Sequence, residues 1–433
     1  MSLQVFTAVS GAGWESALVQ ALDGADHGVT VVRRCVDVSE LLAVAATGTG
    51  QAVLLSADFR RLDGDALARL SASGVAVVGL VEPGDEGAAA RLLALGVLRV
   101  LPADAEADLV VTALRDAVDG KPLPGRDVGD PRTALSGTGV LGPTPPRHAG
   151  RRGRVVAVWG PTGAPGRSTV AVGIADEAAR SGVPTLLVDA DVYGGVVAQL
   201  LGLLDESPGL AAAARRASAG ELDALALRQL AWEVRPGFSV LTGLARADRW
   251  PELRPSAVTQ VLAEARRAVS LTVVDCGFSV EEDEELSFDT AAPRRNGATV
   301  AVLEDADVVV CVSGADPVAL QRCVRALGEL RDVLPGVDPL LVVNQVRRGP
   351  VPGNPEAEIA QALERFAGRS VACFLPADRR ATDAALASGR TLAEVAPSAP
   401  LRTALRALAA GLVGPGAAPS SRPGRPRRRS GAG

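Results

Sequence analysis

Seven short segments of this chain are apolar throughout or contain a single Ser or Thr, and this pattern constrains the fold more than any other feature of the sequence. A strand with one buried face alternates apolar and polar residues, whereas a strand of a parallel sheet covered on both faces is apolar throughout. Helical patterns lie between the segments, as in residues 168–180. The pattern predicts a doubly wound α/β domain that binds ligands at the carboxyl ends of its strands. The segments are 155–159, 185–188, 238–241, 271–274, 308–312, 340–343 and 371–375.

Composition divides the 433 residues into four zones. Residues 1–118 and 154–413 alternate apolar strands with Ala/Leu-rich helical patterns, so we expect a folded α/β domain in each. Residues 119–153 are rich in Gly, Pro and Arg, which is typical of a flexible linker. Residues 414–433 contain too few apolar side chains to form a core, and we expect a disordered basic tail.

Charge, histidine and cysteine content argue against several classes of protein. The formal net charge is −5, which disfavours a body that binds nucleic acid over its surface. The five cysteines form no CxxC pair and the two histidines lie far apart, so neither a zinc site nor a histidine-dependent hydrolase is expected. The sequence shows no signal-peptide pattern and no uncharged apolar run of about 18 residues, so we expect a cytoplasmic protein.

A glycine-rich loop follows the first strand of the second α/β zone. It reads Gly160-Pro161-Thr162-Gly163-Ala164-Pro165-Gly166-Arg167-Ser168-Thr169, and a helical pattern follows it. This context suits a phosphate-binding loop, because backbone N–H groups and a helix N-terminus face the anion and a hydroxyl can ligate Mg²⁺. Two positions depart from the pattern GxxxxGK[ST], since Pro161 replaces the first glycine and Arg167 replaces the lysine. A turn that binds nothing remains the alternative.

Further motifs follow this loop in a fixed order along residues 154–413. They are the strand ends Leu187-Val188-Asp189-Ala190-Asp191, Leu271-Thr272-Val273-Val274-Asp275-Cys276-Gly277, Val342-Val343-Asn344 and Phe374-Leu375-Pro376-Ala377-Asp378. With the loop, they resemble the MinD/ParA family of deviant-Walker ATPases, within the SIMIBI class of P-loop proteins. Each motif alone is weak. Asp189 and Asp191 could instead be ordinary turn residues, and Asp275 could cap the next helix. Asn344 could be present because asparagine tolerates left-handed backbone at a strand end.

The resemblance implies ATP and Mg²⁺ as cofactors and assigns a role to each matched residue. It implies that Ser168, Asp191 and Asp275 hold Mg²⁺, and that Asp191 and Arg167 act in catalysis. It implies that Asn344 reads adenine and that the loop of Pro376 and Asp378 closes over the base. The nucleotide-binding residues implied in this way are Thr162, Gly163, Ala164, Pro165, Gly166, Arg167, Ser168, Thr169, Asn344, Pro376 and Asp378.

Departures from the family pattern predict that any hydrolysis is slow. The family's signature lysine reaches across an ATP-sandwiched dimer, but Thr162 at this position is short and uncharged. Pro165 removes one backbone N–H donor from the loop. An acidic run at residues 281–285 precedes Arg294 and Arg295. This run is either a solvated loop or part of a switch segment in which one of these arginines replaces the missing charge.

Residues 1–118 resemble a response-regulator receiver that has lost its acidic pocket. Ser56 stands where a receiver carries its phosphorylatable aspartate, and the first strand lacks the expected carboxylate pair. The resemblance implies a flavodoxin-like pseudo-receiver domain that serves in docking or dimerisation. Without the Mg²⁺ pocket we expect no aspartyl phosphorylation, and Asp58 is only a weak alternative acceptor.

A pseudo-receiver joined to a deviant MinD-like ATPase is the layout of the CpaE/TadZ proteins and of actinobacterial septum-site-determining proteins. This resemblance implies an ATP-binding spatial regulator of septum or Flp/Tad pilus position, a homodimer, and protein partners from the division or pilus machinery. The basic tail would contact anionic membrane at the cytoplasmic face, and nucleic acid is the less favoured partner. Two alternatives stay open, a non-enzymatic scaffold with a degenerate loop and a DNA-partitioning ATPase. The leucine stripe of residues 401–412 is predicted to pack on the sheet.

Overall fold

The computed structural model describes residues 2–9, 14–24, 27–60, 62–120, 152–163, 166–203, 209–281, 294–351 and 353–413. Most of the predicted linker, Ala164 and Pro165 of the loop, four of the five residues of the acidic run and the predicted tail lie outside these ranges. Contacts group the chain into two compact units. The first consists of Met1–Arg151, Ala211–Leu227 and Glu252–Glu264, and the second of Arg152–Leu210, Arg228–Pro251 and Ala265–Gly433.

Residues 2–120 contain a five-stranded parallel sheet with helices between the strands. The strands are β1 (Leu3–Ala8), β2 (Val29–Cys35), β3 (Ala52–Ser56), β4 (Ala76–Val81) and β5 (Arg99–Pro102). The helices are α1 (Glu15–Gly24), α2 (Val38–Ala45), α3 (Gly64–Ala72), α4 (Glu86–Ala94) and α5 (Ala107–Val118). The strand order is β2-β1-β3-β4-β5, which is the order of flavodoxin-like domains. The receiver resemblance itself remains a prediction.

Both faces of this sheet are covered, because neighbouring residues of β1 enter different cores. Phe6 packs in a cluster with Phe59 and Leu92, whereas Val5 packs in a second cluster with Leu80 and Leu114. Successive side chains of a strand point to opposite faces, so one strand supplies both clusters. This two-sided burial explains why β3 is apolar at four of its five positions.

The second α/β zone contains an eight-stranded sheet within its described residues. Its strands are β6 (Arg154–Trp159), β7 (Thr185–Ala190), β8 (Trp232–Arg235), β9 (Phe238–Leu241), β10 (Leu271–Cys276), β11 (Val308–Gly314), β12 (Leu340–Val346) and β13 (Val371–Pro376). The order is β13-β12-β11-β6-β10-β7-β9-β8, and only β8 pairs antiparallel to its neighbour. All seven predicted strands are present. The short edge strand β8 was not predicted from the sequence, because its four residues are polar or only partly buried.

Further helices follow along residues 167–413. They are α6 (Arg167–Arg180), α7 (Val197–Leu200), α8 (Gly209–Ala219), α9 (Ala224–Leu230), α10 (Pro255–Ala268), α11 (Gly297–Asp305), α12 (Pro317–Val333), α13 (Pro355–Ala367), α14 (Arg379–Ser388), α15 (Leu392–Val395) and α16 (Pro400–Val413). A short 3-10 helix occupies Ala247–Glu252. No helix among the described residues combines the length and apolarity needed to span a bilayer.

The predicted packing of the last helix is confirmed. Leu401, Leu405 and Leu412 of α16 are buried in the core that also holds α6, and Leu408 is partly buried against it. Gly173 in the middle of α6 permits this close approach, because a Cβ atom there would lie 2.6 Å from a methyl carbon of Leu405. The core therefore fixes α6, whose first turn follows the glycine-rich loop.

Candidate phosphate-binding site

The candidate site lies at the carboxyl edge of the second sheet, where three neighbouring strands end together. β6 leads into the glycine-rich loop, β10 pairs with both β6 and β7, and Asp275 on β10 lies in register with Asp189 on β7. Parallel strands place their carboxyl ends on the same edge of a sheet. The loop and the predicted carboxylates are therefore brought to one place, as the sequence indicated.

Two glycines of the loop adopt backbone conformations that are unfavourable for residues with side chains. Gly163 has φ +68°, and Gly166 has φ +91° at the position that caps α6. L-residues with side chains disfavour this region of backbone. A Cβ atom on Gly166 would also lie 2.3 Å from the amide nitrogen of Asn344. Asn344, predicted to read adenine, therefore lies against the loop at the start of α6.

Arg167 folds back into the loop from which it comes. One terminal nitrogen of its guanidinium donates to the carbonyl oxygens of Gly160, at 2.9 Å, and of Pro161, at 3.1 Å. The other terminal nitrogen lies 3.5 Å from a carboxylate oxygen of Asp191, and both side chains are more than four-fifths buried. The ring centroid of Phe278 is 6.0 Å from its central carbon. A lysine has one nitrogen at its tip, so it would not reach these partners with two separate groups.

Asp189 and Asp191 lie two residues apart, where β7 ends, but their surroundings differ. Asp189 is buried and accepts hydrogen bonds from the backbone N–H groups of Asp191, at 3.3 Å, and Val197, at 3.0 Å. Burial raises the pKa of Asp189 to about 7, although both hydrogen bonds act to lower it. Asp191 accepts from the backbone N–H group of Tyr193 at 2.9 Å and keeps its second oxygen beside Arg167. Asp191 is therefore the one of the two that faces the loop.

Asp275 is a buried carboxylate without a hydrogen-bond partner. It is 1% exposed, and neither of its oxygens forms a hydrogen bond with the residues that the structure describes. Burial raises its pKa well above the usual range, with a further contribution from Asp189, while the nearby Ser168 hydroxyl and Arg167 act in the opposite direction. An unsatisfied buried carboxylate is costly unless a cation or donor completes it. Asp275 therefore has the free oxygens needed to bind a hydrated cation.

The oxygen donors near the loop fit a Mg²⁺ ion that is bound together with phosphate groups. Within the described residues, no three His, Cys, Asp or Glu side chains form a cluster able to hold a metal by themselves. Mg²⁺ in phosphate sites usually keeps several waters and takes one or two carboxylates, with phosphate oxygens completing its shell. The hydroxyl of Ser168 and the carboxylates of Asp275 and Asp191 match that requirement.

The remaining predicted residues differ in exposure and in local contacts. Thr162 is exposed on the loop, and Thr169 is partly buried in the first turn of α6. Pro376 ends β13, and the Asp378 carboxylate caps α14 by accepting from the backbone N–H group of Ala381 at 3.1 Å. Asp378 therefore has a structural role as a helix cap whether or not a nucleotide base binds nearby.

A polar and aromatic cluster beside Asp191 was missed by the sequence analysis. The Tyr193 hydroxyl donates to the side-chain oxygen of Asn296 at 2.7 Å, and the Asn296 amide donates to the carbonyl oxygen of Glu281 at 2.7 Å. The Tyr193 ring packs on Phe278 with centroids 4.6 Å apart. Arg295 lies over the Tyr193 ring, 4.0 Å from its centroid. These contacts join the segments that follow β7 and β10, and no local sequence pattern signals them.

A second arginine near the loop was also missed. Arg322 of α12 places a terminal guanidinium nitrogen 2.1 Å from where a Cβ atom of Gly163 would be. Arg322 belongs to an ordinary helical pattern and no motif marks it, so its closeness to the loop follows only from the packing of α12.

The end of β3 in the first sheet carries Ser56, as predicted, and not an aspartate. Ser56 is 3% exposed, and its hydroxyl has no hydrogen-bond partner among the described residues. Asp63 caps α3 by accepting from the backbone N–H group of Ala66 at 2.9 Å. These positions provide no carboxylate cluster at the end of β3.

Comparison with solved structures supports the fold of the second unit. A ParA family ATPase from Chlorobium tepidum TLS is 20% identical, with a TM-score of 0.51 over 59% of this chain and 98% of that chain. The cell division ATPase MinD from Pyrococcus furiosus is 16% identical, with a TM-score of 0.47 over 59% and 97%. The septum site-determining protein MinD from Pyrococcus horikoshii OT3, complexed with Mg-ADP, is 14% identical, with a TM-score of 0.46 over 59% and 94%. No protein-family model and no curated protein matches the chain. The likeness to the first structure confirms the expected α/β fold.

Proposed function

We propose that this protein binds ATP with Mg²⁺ at the loop of residues 160–169 and acts as a MinD/ParA-like spatial regulator. One observation carries the proposal above the others. The buried carboxylate of Asp275 lies near Ser168 and Arg167 in the first turn of α6, and neither of its oxygens has a hydrogen-bond partner among the described residues. A protein that never binds a cation at this place gains nothing from leaving such a group unpaired, because its burial lowers stability.

The proposed binding mode follows from these positions. Backbone N–H groups at Gly166 and the start of α6 donate hydrogen bonds to the phosphates, as helix N-termini do to anions. Ser168 and Asp275 would hold Mg²⁺, which would supply positive charge beside the phosphates. Arg167 turns from the carbonyl oxygens of Gly160 and Pro161 to the phosphates, because a guanidinium binds phosphate more strongly than a neutral carbonyl.

Hydrolysis at this site is slow in our proposal. Asp191 orients the attacking water, and it is released for that role when Arg167 moves away. The water oxygen forms a bond to the γ-phosphorus as the bond to the bridging oxygen breaks, and the products are ADP, phosphate and a released proton. Arg167 is bulkier than lysine and Thr162 brings no charge, so the charge that develops in the transition state is poorly matched.

The finer assignment rests on the resemblance of the whole layout to CpaE/TadZ and septum-site-determining proteins. We propose that nucleotide state controls a homodimer and its binding to protein partners that place a septum or a Flp/Tad pilus. The basic tail, residues 414–433, would add attraction to an anionic membrane. The place of action would be the cytoplasmic face of the plasma membrane.

A second candidate function is a scaffold that keeps the fold and binds no nucleotide. The contacts of Arg167 favour it, because its guanidinium is already satisfied by two loop carbonyls and by Asp191. In that case the arginine closes the loop on itself and stabilises it without ligand.

Calorimetric titration of the full chain with ATP and Mg²⁺ separates the two candidates. We expect saturable binding by the wild type and a loss of about tenfold or more in affinity for Ser168→Ala and Asp275→Asn, since each loses a contact to a charged group. Asp332→Asn, an exposed position on α12, is the matched control and should bind like the wild type. No heat of binding at millimolar ATP would support the scaffold.

A further inference from the structure

Arg322 lies over the part of the loop that precedes α6. A Cβ atom on Gly163 would be 2.1 Å from a terminal nitrogen of Arg322 and 3.4 Å from its central guanidinium carbon. The guanidinium therefore contacts the backbone of Gly163 itself. Glycine is needed here for its φ of +68° and also because a side chain would displace the arginine.

The position of Arg322 is set by its helix. α12 follows β11, and β11 is the neighbour of β6 in the sheet, so the helix starts at the same edge as the loop. Asp316 caps α12 by accepting from the backbone N–H groups of Val318 and Ala319, both at 3.1 Å. Cys323, next to Arg322, is fully buried and anchors this turn of the helix in the core. The base of the arginine is thereby held while its tip extends to the loop.

The Arg322 guanidinium forms no hydrogen bond or ion pair with the part of the chain that the structure describes. Arg167, by contrast, donates hydrogen bonds to two carbonyl oxygens and forms an ion pair with Asp191. Arg325, one turn along α12, also differs, because it pairs with Glu329 at 2.7 Å. A guanidinium offers five donors, so Arg322 is free to bind an anion held by the loop.

We propose that Arg322 binds the polyphosphate of the nucleotide and supplies, from the same chain, the charge that Thr162 lacks. This proposal rests on the proposed function of the loop. A planar guanidinium binds two phosphate oxygens at once, which suits a residue that approaches the phosphate chain from outside the loop. The charge comes from a helix of the same subunit, so polyphosphate binding does not require a second subunit to provide it.

Titrations of the full chain with ATP, ADP and AMP, each with Mg²⁺, test the assignment. For Arg322→Gln we expect affinity for ATP and ADP to fall about tenfold and that for AMP to change less than about twofold, because AMP lacks the outer phosphates. Arg322→Lys should restore part of the loss, since it keeps the charge without the bidentate geometry. Arg325→Gln is the matched control and should leave all three affinities unchanged. The melting temperature of the ligand-free Arg322→Gln protein should equal that of the wild type.

The outcomes separate this inference from the proposed function. If the wild type binds ATP and Arg322→Gln binds it equally well, the inference is wrong and the proposed function stands. If Arg322→Gln weakens ATP, ADP and AMP to the same extent, or if Arg325→Gln has the same effect, the arginine does not contact the polyphosphate. If the wild type binds no nucleotide, both the proposed function and the inference are wrong.

Discussion

Asp189 shows how strongly a buried position changes the chemistry of one side chain. Its carboxyl accepts two backbone hydrogen bonds, yet burial dominates and raises its pKa to about 7 from an ordinary value of 3.8. A Cβ atom on Gly195 or Gly243 would lie 2.7 Å from this carboxylate, so backbone surrounds it closely. Close backbone excludes water, and the charged form loses its hydration. Asp189 is thus a titrating group near neutral pH, next to the residue that faces the loop.

The stability of the ligand-free protein should therefore fall as the pH rises towards 7. The folded carboxyl of Asp189 keeps its proton up to about pH 7, whereas the unfolded one loses it near 3.8, so the stabilisation is present at low pH and lost as pH rises through the folded pKa. The raised pKa of Asp275 acts in the same direction. Chemical denaturation at about pH 5.5 and about pH 8 measures the difference, and Asp189→Asn should reduce it. Asp332→Asn is the control, and an equal difference in Asp189→Asn and wild type would contradict the assignment.

The element that decides where the loop lies is α6, which is buried along most of its length. α16 packs against it, with Leu405 entering the space left by Gly173. A helix this deeply packed holds its first turn in place, so the orientation of Ser168 and Arg167 depends on contacts far from the ligand. Binding at the loop and stability of the core are linked through this pair of helices.

Truncation of Leu405 should test the packing of α16 against α6. Leu405→Ala removes a side chain that is 1% exposed and should lower the free energy of unfolding by about 2–5 kcal/mol, as is usual for buried leucines. Leu408→Ala, on the partly buried side of α16, should cost roughly 1 kcal/mol. Urea denaturation followed by circular dichroism measures both. Equal losses would show that α16 does not pack as described.

The sequence predicts elements that have a local signature and misses those that depend on packing. Near-continuous apolarity marks all seven parallel strands, since burial on both faces leaves its trace in each segment. β8 has no such trace, because an edge strand with exposed side chains looks like a loop. Asp189, Asp191 and Asp275 were found because they follow predicted strands. Arg322 was not, since its closeness to Gly163 depends on how α12 is seated, and the contacts of Arg167 depend on the conformation of its side chain.

At the scale of the whole molecule, the described residues form one parallel and one mostly parallel α/β sheet, and the second of these ends in a glycine-rich loop and buried carboxylates. The first sheet has the flavodoxin-like order but carries Ser56 at the end of β3, and β1 has no carboxylate. Similar sheets can thus serve different purposes, because ligand chemistry depends on the residues at the strand ends and not on the sheet.

Incubation with acetyl phosphate and Mg²⁺ should therefore leave residues 1–118 unmodified. Aspartyl phosphorylation needs Mg²⁺ held by carboxylates next to the acceptor, and Ser56 and β1 supply none. Intact-mass analysis before and after mild alkali detects any acyl phosphate, with a known receiver protein as the positive control. Acid-labile phosphate on Asp58 would contradict this expectation.

The contacts around Tyr193 have a practical consequence for observing the protein in solution. The chain contains a single tyrosine, and its ring touches Phe278 and Arg295 while its hydroxyl bonds to Asn296. Replacing tyrosine with 3-fluorotyrosine during expression would therefore yield one fluorine resonance without any mutation. Ring currents and a stacked cation make that resonance sensitive to small movements of the segments after β7 and β10. A spectroscopic probe of these two segments is thus already present in the sequence.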